Sequence, residues 1–269
     1  RSVFFVAGGL VASFAPLLLV TMPSSKAASR GESKAKAKDT PKEVAEEKVA
    51  GTAWYQVPGA PSVAISYTLV KMARYCLMFW LPYFLARKVG MDPTAAGNVS
   101  AALDLGGMAG AVLAGLACDR LYGGATFAIS RHLCFATSAC FAGWTAASAS
   151  MGAVPEGLHV VAILLVGFSI AGPDGVLGGG SARMLVEHAG MQEDPNLAAS
   201  VSAMINGCGS VGAVLQGVLT SKLVESAGWD GLFLTLAGAM LLAGLALGSA
   251  VSVEAEGLLR GSAKPTKAA

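Results

Sequence analysis

Two basic side chains interrupt an otherwise apolar stretch of the sequence. Lys71 and Arg74 lie within the run from Tyr67 to Trp80. Side chains three positions apart share one face of a helix, at roughly 5–6 Å. Because a lone cation near the centre of a bilayer costs about 2.5–3.5 kcal/mol on insertion scales, this pair requires negative charge nearby. The fork of an arginine binds two oxygens of a phosphate group, and a lysine acts beside it as a point charge.

The negative charge has two candidate sources. Asp104 and Asp174 are the acids that lie deepest in apolar stretches, and they would neutralise the basic pair permanently as a structural network. A doubly charged phosphate on a solute would neutralise it only while bound. The two interpretations overlap, because an acid can hold the cations after a phosphate has left.

A second polar cluster follows the next apolar stretch, as Gly-Leu-Ala-Cys-Asp-Arg-Leu-Tyr-Gly-Gly over residues 115–124. Glycines at both ends allow close helix approach and a tight reversal of the chain. The central acid and base can meet charges or helix ends on one face of a membrane as a protein opens and closes. The spacing resembles the loop motif that major facilitator proteins carry between the second and third helices of a half, and this resemblance implies a gating motif. The simpler interpretation is a polar turn with a helix-capping aspartate. The motif residues are Gly115, Asp119, Arg120 and Gly123.

The composition around these charges is that of a membrane protein. The 269 residues are 54% hydrophobic and 13% charged, with a mean hydropathy of +0.60, more apolar than a water-soluble domain. A helix that crosses a hydrocarbon core of about 30 Å needs roughly 20 apolar residues. About seven runs have this length, at residues 3–21, 63–86, 96–117, 126–149, 158–185, 197–223 and 232–251. The sequence therefore predicts an all-α, multi-pass membrane protein.

One long polar segment divides the chain. Residues 23–61 contain seven of the 19 Lys and Arg residues and are predicted to be largely disordered. The positive-inside rule places this segment in the cytoplasm, and the C-terminus then lies there too. We expect residues 1–22 to be the last helix of an N-terminal bundle, 62–253 a six-helix C-terminal bundle and 254–269 a cytoplasmic tail. Five preceding helices would complete a protein of two six-helix halves.

Several short motifs occur in the order typical of one transporter family. They are Arg74 to Pro82, Ala-Gly-Asn-Val-Ser at 96–100, Leu-Asp-Leu-Gly-Gly at 103–107, Gly-Phe at 167–168, Gly-Pro at 172–173, Gly-Cys-Gly-Ser-Val-Gly at 207–212 and Gly-Trp-Asp at 228–230. With the predicted gating motif they span about residues 63–253. In this order they resemble the C-terminal half of the organophosphate:phosphate antiporters of the major facilitator superfamily. That family includes glycerol-phosphate transporters and sugar-phosphate exchangers.

The resemblance implies part of a major facilitator fold and transport of an organic phosphate, a sugar phosphate or glycerol phosphate, in exchange for inorganic phosphate by alternating access. It also implies that Arg74 and Lys71 bind the phosphate group. We expect Asp104 to set the local field beside them. Further substrate-binding candidates, for hydrogen bonds to the solute's hydroxyls, are Tyr75, Asn206 and Ser210. Asn206 and Asp174 depart from the family pattern, which usually has an acid and an apolar or aromatic residue at these positions.

Other classes of function have weaker support. The sequence has no Ser/His/Asp, His-Glu-x-x-His or paired-carboxylate pattern that converges on one pocket, which argues against an enzyme. Its five cysteines form no close pairs of the kind that bind zinc, and no cofactor or metal is expected. The net charge of +2, without a basic stripe interleaved with aromatics, gives no reason to expect nucleic acid.

Two alternatives to organic-phosphate exchange stay open. One is a proton-coupled symporter of another organic solute, in which Asp104 or Asp174 carries the proton. The other is a membrane scaffold without transport activity. For the exchanger, the expected partners are a small phosphorylated solute, inorganic phosphate, the lipid bilayer and an N-terminal helix bundle of the same protein.

Alternating access requires two bundles that rock against each other, and residues 1–269 are expected to contain one bundle and a single helix of the other. We therefore predict that this chain alone does not exchange phosphate. The measurement is uptake of labelled phosphate into liposomes that contain the purified chain and are loaded with phosphate. Exchange above that of empty vesicles would contradict the two-bundle prediction.

Overall fold

The computed structural model of the chain describes residues 52–151, 154–194 and 196–262. Within these ranges the chain is helical and contains no β-strand, which confirms the predicted all-α class. The predicted helix over residues 3–21, the polar loop up to residue 51 and the tail beyond residue 262 lie outside the described residues.

A short 3₁₀ turn at Trp54–Gln56 leads into the helices. Turns of π-helix follow α1 at Leu85–Val89 and α5 at Val176–Gly180. The helices of the described residues are α1 (Ala60–Phe84), α2 (Pro93–Ser100), α3 (Ala102–Leu121), α4 (Thr126–Ser150), α5 (Glu156–Gly175), α6 (Ser181–His188), α7 (Leu197–Ala246) and α8 (Gly248–Ser262). The predicted apolar runs from residue 63 onwards lie on these helices, and the runs 63–86 and 158–185 also include residues of the π-helical turns.

Three continuous helical stretches of the described chain are long and apolar enough to cross a bilayer, namely Pro93–Leu121, Glu156–His188 and Leu197–Arg260. The last has 64 residues, which is enough for two crossings. Gly228 breaks its helical geometry with φ of +71°, a conformation that glycine adopts without steric penalty. This break lies between the predicted runs 197–223 and 232–251. Helices α1 and α4 have 25 residues each, the length of a crossing, but more polar side chains.

Helices α3 and α5 approach each other through glycine. A Cβ atom added to Gly110 would collide with the carbonyl oxygen of Phe168, and one added to Gly167 would collide with that of Leu103. Between apolar helices in a membrane, association depends on such close van der Waals packing, because lipid is as apolar as the helix surface. The second close pair is α1 with α7, and α4 packs against both α5 and α7.

Two prolines lie inside helices and precede the π-helical turns. Pro82 in α1 is followed by the turn Leu85–Val89, and Pro173 in α5 by the turn Val176–Gly180. Proline removes a backbone donor and crowds the preceding turn, so a helix bends or widens around it. The distortion in α5 lies beside Asp174, one of the acids considered as a partner of the basic pair.

A buried carboxylate from α8 caps the start of α4. Glu254 is 1% exposed and accepts hydrogen bonds from Thr126 Oγ1 at 2.9 Å and from the backbone N–H groups of Phe127 and Ala128 at 2.9–3.0 Å. The N-cap residue of α4, Ala125, has no side chain that can do this, and the first N–H groups of a helix need acceptors. Residues 254–262, assigned to a tail in the sequence, thus continue the helical fold.

The glycine contact between α3 and α5 generates a stability prediction. Gly110→Ala would force the two backbones apart, so we expect it to lower the free energy of unfolding by about 1–3 kcal/mol, as overpacking typically does. The control is Gly143→Ala in α4, where an added Cβ has no atom within 4 Å. Unfolding by SDS titration in detergent micelles measures both variants. Equal stability of the two would contradict the close-packing argument.

Candidate substrate site

The basic pair lies on one face of α1, beside the buried face that packs against α7. Val70 and Ala73 are fully buried, whereas Lys71 and Arg74 are partly exposed. Because the positions differ by three, both side chains extend from the same side of the helix. The predicted proximity of the two cations therefore follows from the continuous helix through Tyr67–Trp80.

Arg74 lies between two carboxylates that come from two other helices. Its Nε is 3.2 Å from Asp174 Oδ2 on α5, and its Nη2 donates to Asp104 Oδ1 on α3 at 3.4 Å. The two acids differ in burial, since the Asp174 side chain is 26% exposed and that of Asp104 is 69% exposed. The remaining terminal nitrogen, Nη1, is enclosed and has no hydrogen-bond partner among the described residues.

Lys71 has a different environment from its neighbour. Within the described residues it makes no ion pair, and its Nζ donates to Ser210 Oγ on α7 at 3.4 Å. The ammonium also lies 5.2 Å from the ring centre of Tyr67 and 5.8 Å from that of Tyr75. Aromatic faces attract a cation more weakly than a carboxylate does, so the charge of Lys71 is the less compensated of the two.

The polar candidates on α7 extend this cluster. Ser210 Oγ donates to the carbonyl oxygen of Asn206 at 2.9 Å while it accepts from Lys71. The Asn206 side-chain amide donates to the carbonyl oxygens of Gly178 and Ser202, both at 3.1 Å. With its N–H groups used in this way, the Oδ1 atom of Asn206 is available as an acceptor. The structure thus gathers the other four predicted substrate residues around the basic pair, namely Asp104, Tyr75, Asn206 and Ser210.

Curated proteins with similar sequences are transporters of phosphorylated solutes by name. A protein of Arabidopsis thaliana named as glycerol-3-phosphate transporter 2 is 31% identical over 214 residues, which are 78% of this chain and 41% of that protein. The glucose-6-phosphate exchanger SLC37A2 of Bos taurus is 29% identical over 71% of this chain and 38% of its own length. Sugar phosphate exchanger 3 of Mus musculus is 26% identical over 66% of this chain and 34% of its own length.

The chain belongs to the organophosphate:phosphate antiporter family. It spans about two fifths of the length of the first relatives, 41% and 38%. No protein-family model matches the chain, so the assignment depends on these relatives. Their names describe transporters and exchangers rather than enzymes.

The predicted gating motif of this antiporter-family chain lies at the end of α3. Gly123 and Gly124 have φ of +58° and +87°, and the N–H of Gly124 donates to the carbonyl oxygen of Cys118 at 3.0 Å, so the predicted tight reversal occurs. Asp119 and Arg120 are exposed and form no ion pair within the described part of the chain. Among the described residues no atom lies within 4 Å of a Cβ added to Gly115, so the expected close helix approach does not occur there within this part of the chain.

A cavity of about 330 Å³ lies away from the charged cluster, at the carboxyl end of α1. Its lining residues include Lys88, His159 and Asp230. None of the predicted substrate residues lines it, because they lie on an open face between α1, α3, α5 and α7. No sequence motif predicts a site in this cavity, and the chemistry of the side chains rather than cavity size identifies the candidate site.

Two residues that contribute to the cluster around the basic pair, Tyr67 and Gly178, were not predicted from the sequence. Tyr67 is buried and places its ring beside Lys71, with its hydroxyl against Gly178 of the π-helical turn. A side chain at Gly178 would collide with that hydroxyl. The available signal was the spacing of Tyr67, Lys71 and Tyr75, which places an aromatic ring one helical turn on either side of the lysine.

The openness of the cluster can be tested by thiol labelling. In a background with the five cysteines replaced by alanine, Ser210→Cys should react at least about tenfold faster than Thr220→Cys, because Thr220 on the same helix is fully buried and buried thiols are inert. A negatively charged methanethiosulfonate reagent should modify Ser210→Cys faster than a positively charged one of similar size, since Lys71 lies beside it. Equal rates for the two positions would contradict this geometry.

Proposed function

We propose that residues 62–253 form the C-terminal bundle of a transporter that exchanges an organic phosphate, a sugar phosphate or glycerol phosphate, for inorganic phosphate. The names of its relatives support a phosphorylated solute as the substrate. The observation that carries the proposal is the charge arrangement at the basic pair. Lys71 lacks an ion pair among the described residues, and Arg74 shares its guanidinium between a partly buried and an exposed carboxylate.

A phosphate group can displace the exposed carboxylate from Arg74. The contact with Asp104 is a single 3.4 Å interaction at a side chain that is 69% exposed, and exposed ion pairs contribute about 0–1 kcal/mol. A phosphate that forms two charge-assisted hydrogen bonds gains about 1.5–3 kcal/mol from each. The phosphate therefore wins this competition when it enters, and Asp104 compensates Arg74 again when it leaves.

The groups on α7 suit the rest of the solute. The acceptor Oδ1 of Asn206 and the exposed hydroxyl of Ser210 lie on α7, which Lys71 contacts through Ser210, whereas the acids that contact Arg74 come from α3 and α5. A polyol attached to the phosphate offers hydroxyls that both donate and accept. We assign these two residues, together with Tyr75, to recognition of the solute's hydroxyl groups.

Exchange by alternating access needs a second wall for this open face. Large apolar side chains beside it are exposed on the described bundle, including Leu105 and Met108 on α3 and Val211 and Val214 on α7. We propose that an N-terminal bundle of the complete transporter packs here and rocks against residues 62–253. The central loop, the gating motif and the C-terminus then face the cytoplasm.

Arg74→Lys tests the phosphate-ligand role. The substitution keeps the charge but removes the planar fork, so affinity for phosphate should fall by about 1.5–3 kcal/mol, or about 10- to 150-fold. Arg74→Ala should reduce exchange further, because the phosphate is then less neutralised. The measurement is exchange of labelled inorganic phosphate against an organic phosphate, in liposomes with the complete two-bundle protein at matched expression.

A double variant separates the ligand role from a purely structural one. If Arg74 only neutralises acids, Arg74→Ala with Asp104→Asn should recover folding and exchange together, since both charges are gone. Under our proposal it recovers folding without exchange. Restored exchange would refute the ligand role, and uptake that needs a proton gradient but no phosphate inside the vesicle would favour the proton-coupled symporter.

A further inference from the structure

We infer that Asp174 is a positioning residue, which keeps hold of Arg74 through Nε so that the two terminal nitrogens of the guanidinium face the phosphate. The inference depends on the proposed function, because it assigns how the same site is organised. Asp104 and Asp174 then have opposite roles, although both carry one negative charge and both contact Arg74.

The first reason is the distribution of contacts over the guanidinium. Asp174 contacts Nε, which belongs to the side edge of the group, at 3.2 Å. Asp104 contacts Nη2 on the terminal edge, at 3.4 Å. Nη1, the other nitrogen of the terminal edge, has no partner among the described residues. Release of Asp104 therefore leaves both nitrogens of the terminal edge without a partner, and this edge matches two oxygens of a phosphate once Nη1 turns out of its enclosed position.

The second reason is the difference in how the two acids are held. Asp174 is the less exposed acid, and it follows Pro173 at the point where α5 widens into its π-helical turn. Asp104 lies in the first turn of α3 and is largely exposed. Withdrawal of a partly buried carboxylate from its cation leaves an uncompensated charge, whereas an exposed one is solvated by water. The contact with Asp174 is accordingly the one that persists.

The third reason is the packing around Arg74 itself. Nη1 lies 3.8 Å from the position that a Cβ would have on Gly107, at the seam where α3 meets α5. A guanidinium held only by the exposed acid could rotate away from this seam. The terminal edge must turn out of the seam to reach the open face, and the contact of Nε with Asp174 keeps the guanidinium attached to α5 while it turns.

The test compares Asp174→Asn with Asp104→Asn in the complete two-bundle protein, using exchange of labelled inorganic phosphate. Asp104→Asn removes a competitor of phosphate and should lower KM. Asp174→Asn removes the anchor and should raise KM about tenfold or more, the effect of a lost charge-assisted contact, with a smaller change in maximal rate. Asp174→Glu, which keeps the charge on the same turn, should recover most of the affinity.

Arg74→Lys supplies the second measurement, because lysine has no Nε. If Asp174 acts through that atom, Asp174→Asn should change KM by less than about twofold in the Arg74→Lys background, although it changes KM strongly in the parent. This comparison also applies if Asp174→Asn with the native arginine fails to fold.

The outcomes separate the inference from the proposed function. A parent that exchanges phosphate, with KM lowered by Asp174→Asn as by Asp104→Asn, would show that Asp174 is only a counterion and overturn the inference alone. An equally large effect of Asp174→Asn with lysine at position 74 would also overturn it. A parent that exchanges no phosphate would refute the proposed function, and the inference with it.

Discussion

The ionic contacts of Arg74 are the constraint on which this bundle depends. A guanidinium within apolar helices requires negative charge close by, and here the charge comes from α3 and α5 while the cation comes from α1. One side chain therefore links three helices. Because Asp104 and Asp174 must reach the same group, α3 and α5 have to lie side by side at this depth, and glycines at their contact permit that approach.

Near the site, closely packed helices are combined with a helix segment that is widened by a proline and a π-helical turn. Gly110 and Gly167 bring the backbones of α3 and α5 together. A few residues further along α5, Pro173 and the π-helical turn at Val176–Gly180 open the helix, and π-turns often occur where a helix has a functional role. In this wider turn Gly178 leaves room for Tyr67, and its carbonyl oxygen receives the Asn206 amide. The close contact of α3 with α5 and the widened turn after Pro173 together position the polar side chains of the candidate site.

At the end of the bundle that carries the predicted gating motif, the buried carboxylate of Glu254 has a structural role. Glu254 neutralises the N-terminus of α4 and connects it to α8, which stabilises the reversal between α3 and α4. The buried carboxylate of Glu254 and the more exposed acids beside Arg74 have different kinds of partners. Glu254 accepts hydrogen bonds from the Thr126 hydroxyl and from backbone N–H groups at the start of α4, and these partners are fixed by the helix. Asp104 and Asp174 instead share Arg74, a side chain whose contacts can change.

Local patterns in the sequence determined much of this protein. The apolar runs predicted the helices, the spacing of Lys71 and Arg74 placed two cations on one face, and the order of short motifs indicated the family, because each depends on residues that are neighbours in the chain. Only the tertiary structure decided which acid contacts which cation, since Asp104 is 30 residues from Arg74 and Ser210 is 139 from Lys71. The cap formed by Glu254, which is 127 residues from Phe127, could likewise not be predicted from the sequence. Such pairs depend on how helices pack, and helical periodicity shows which face is polar but not which faces meet.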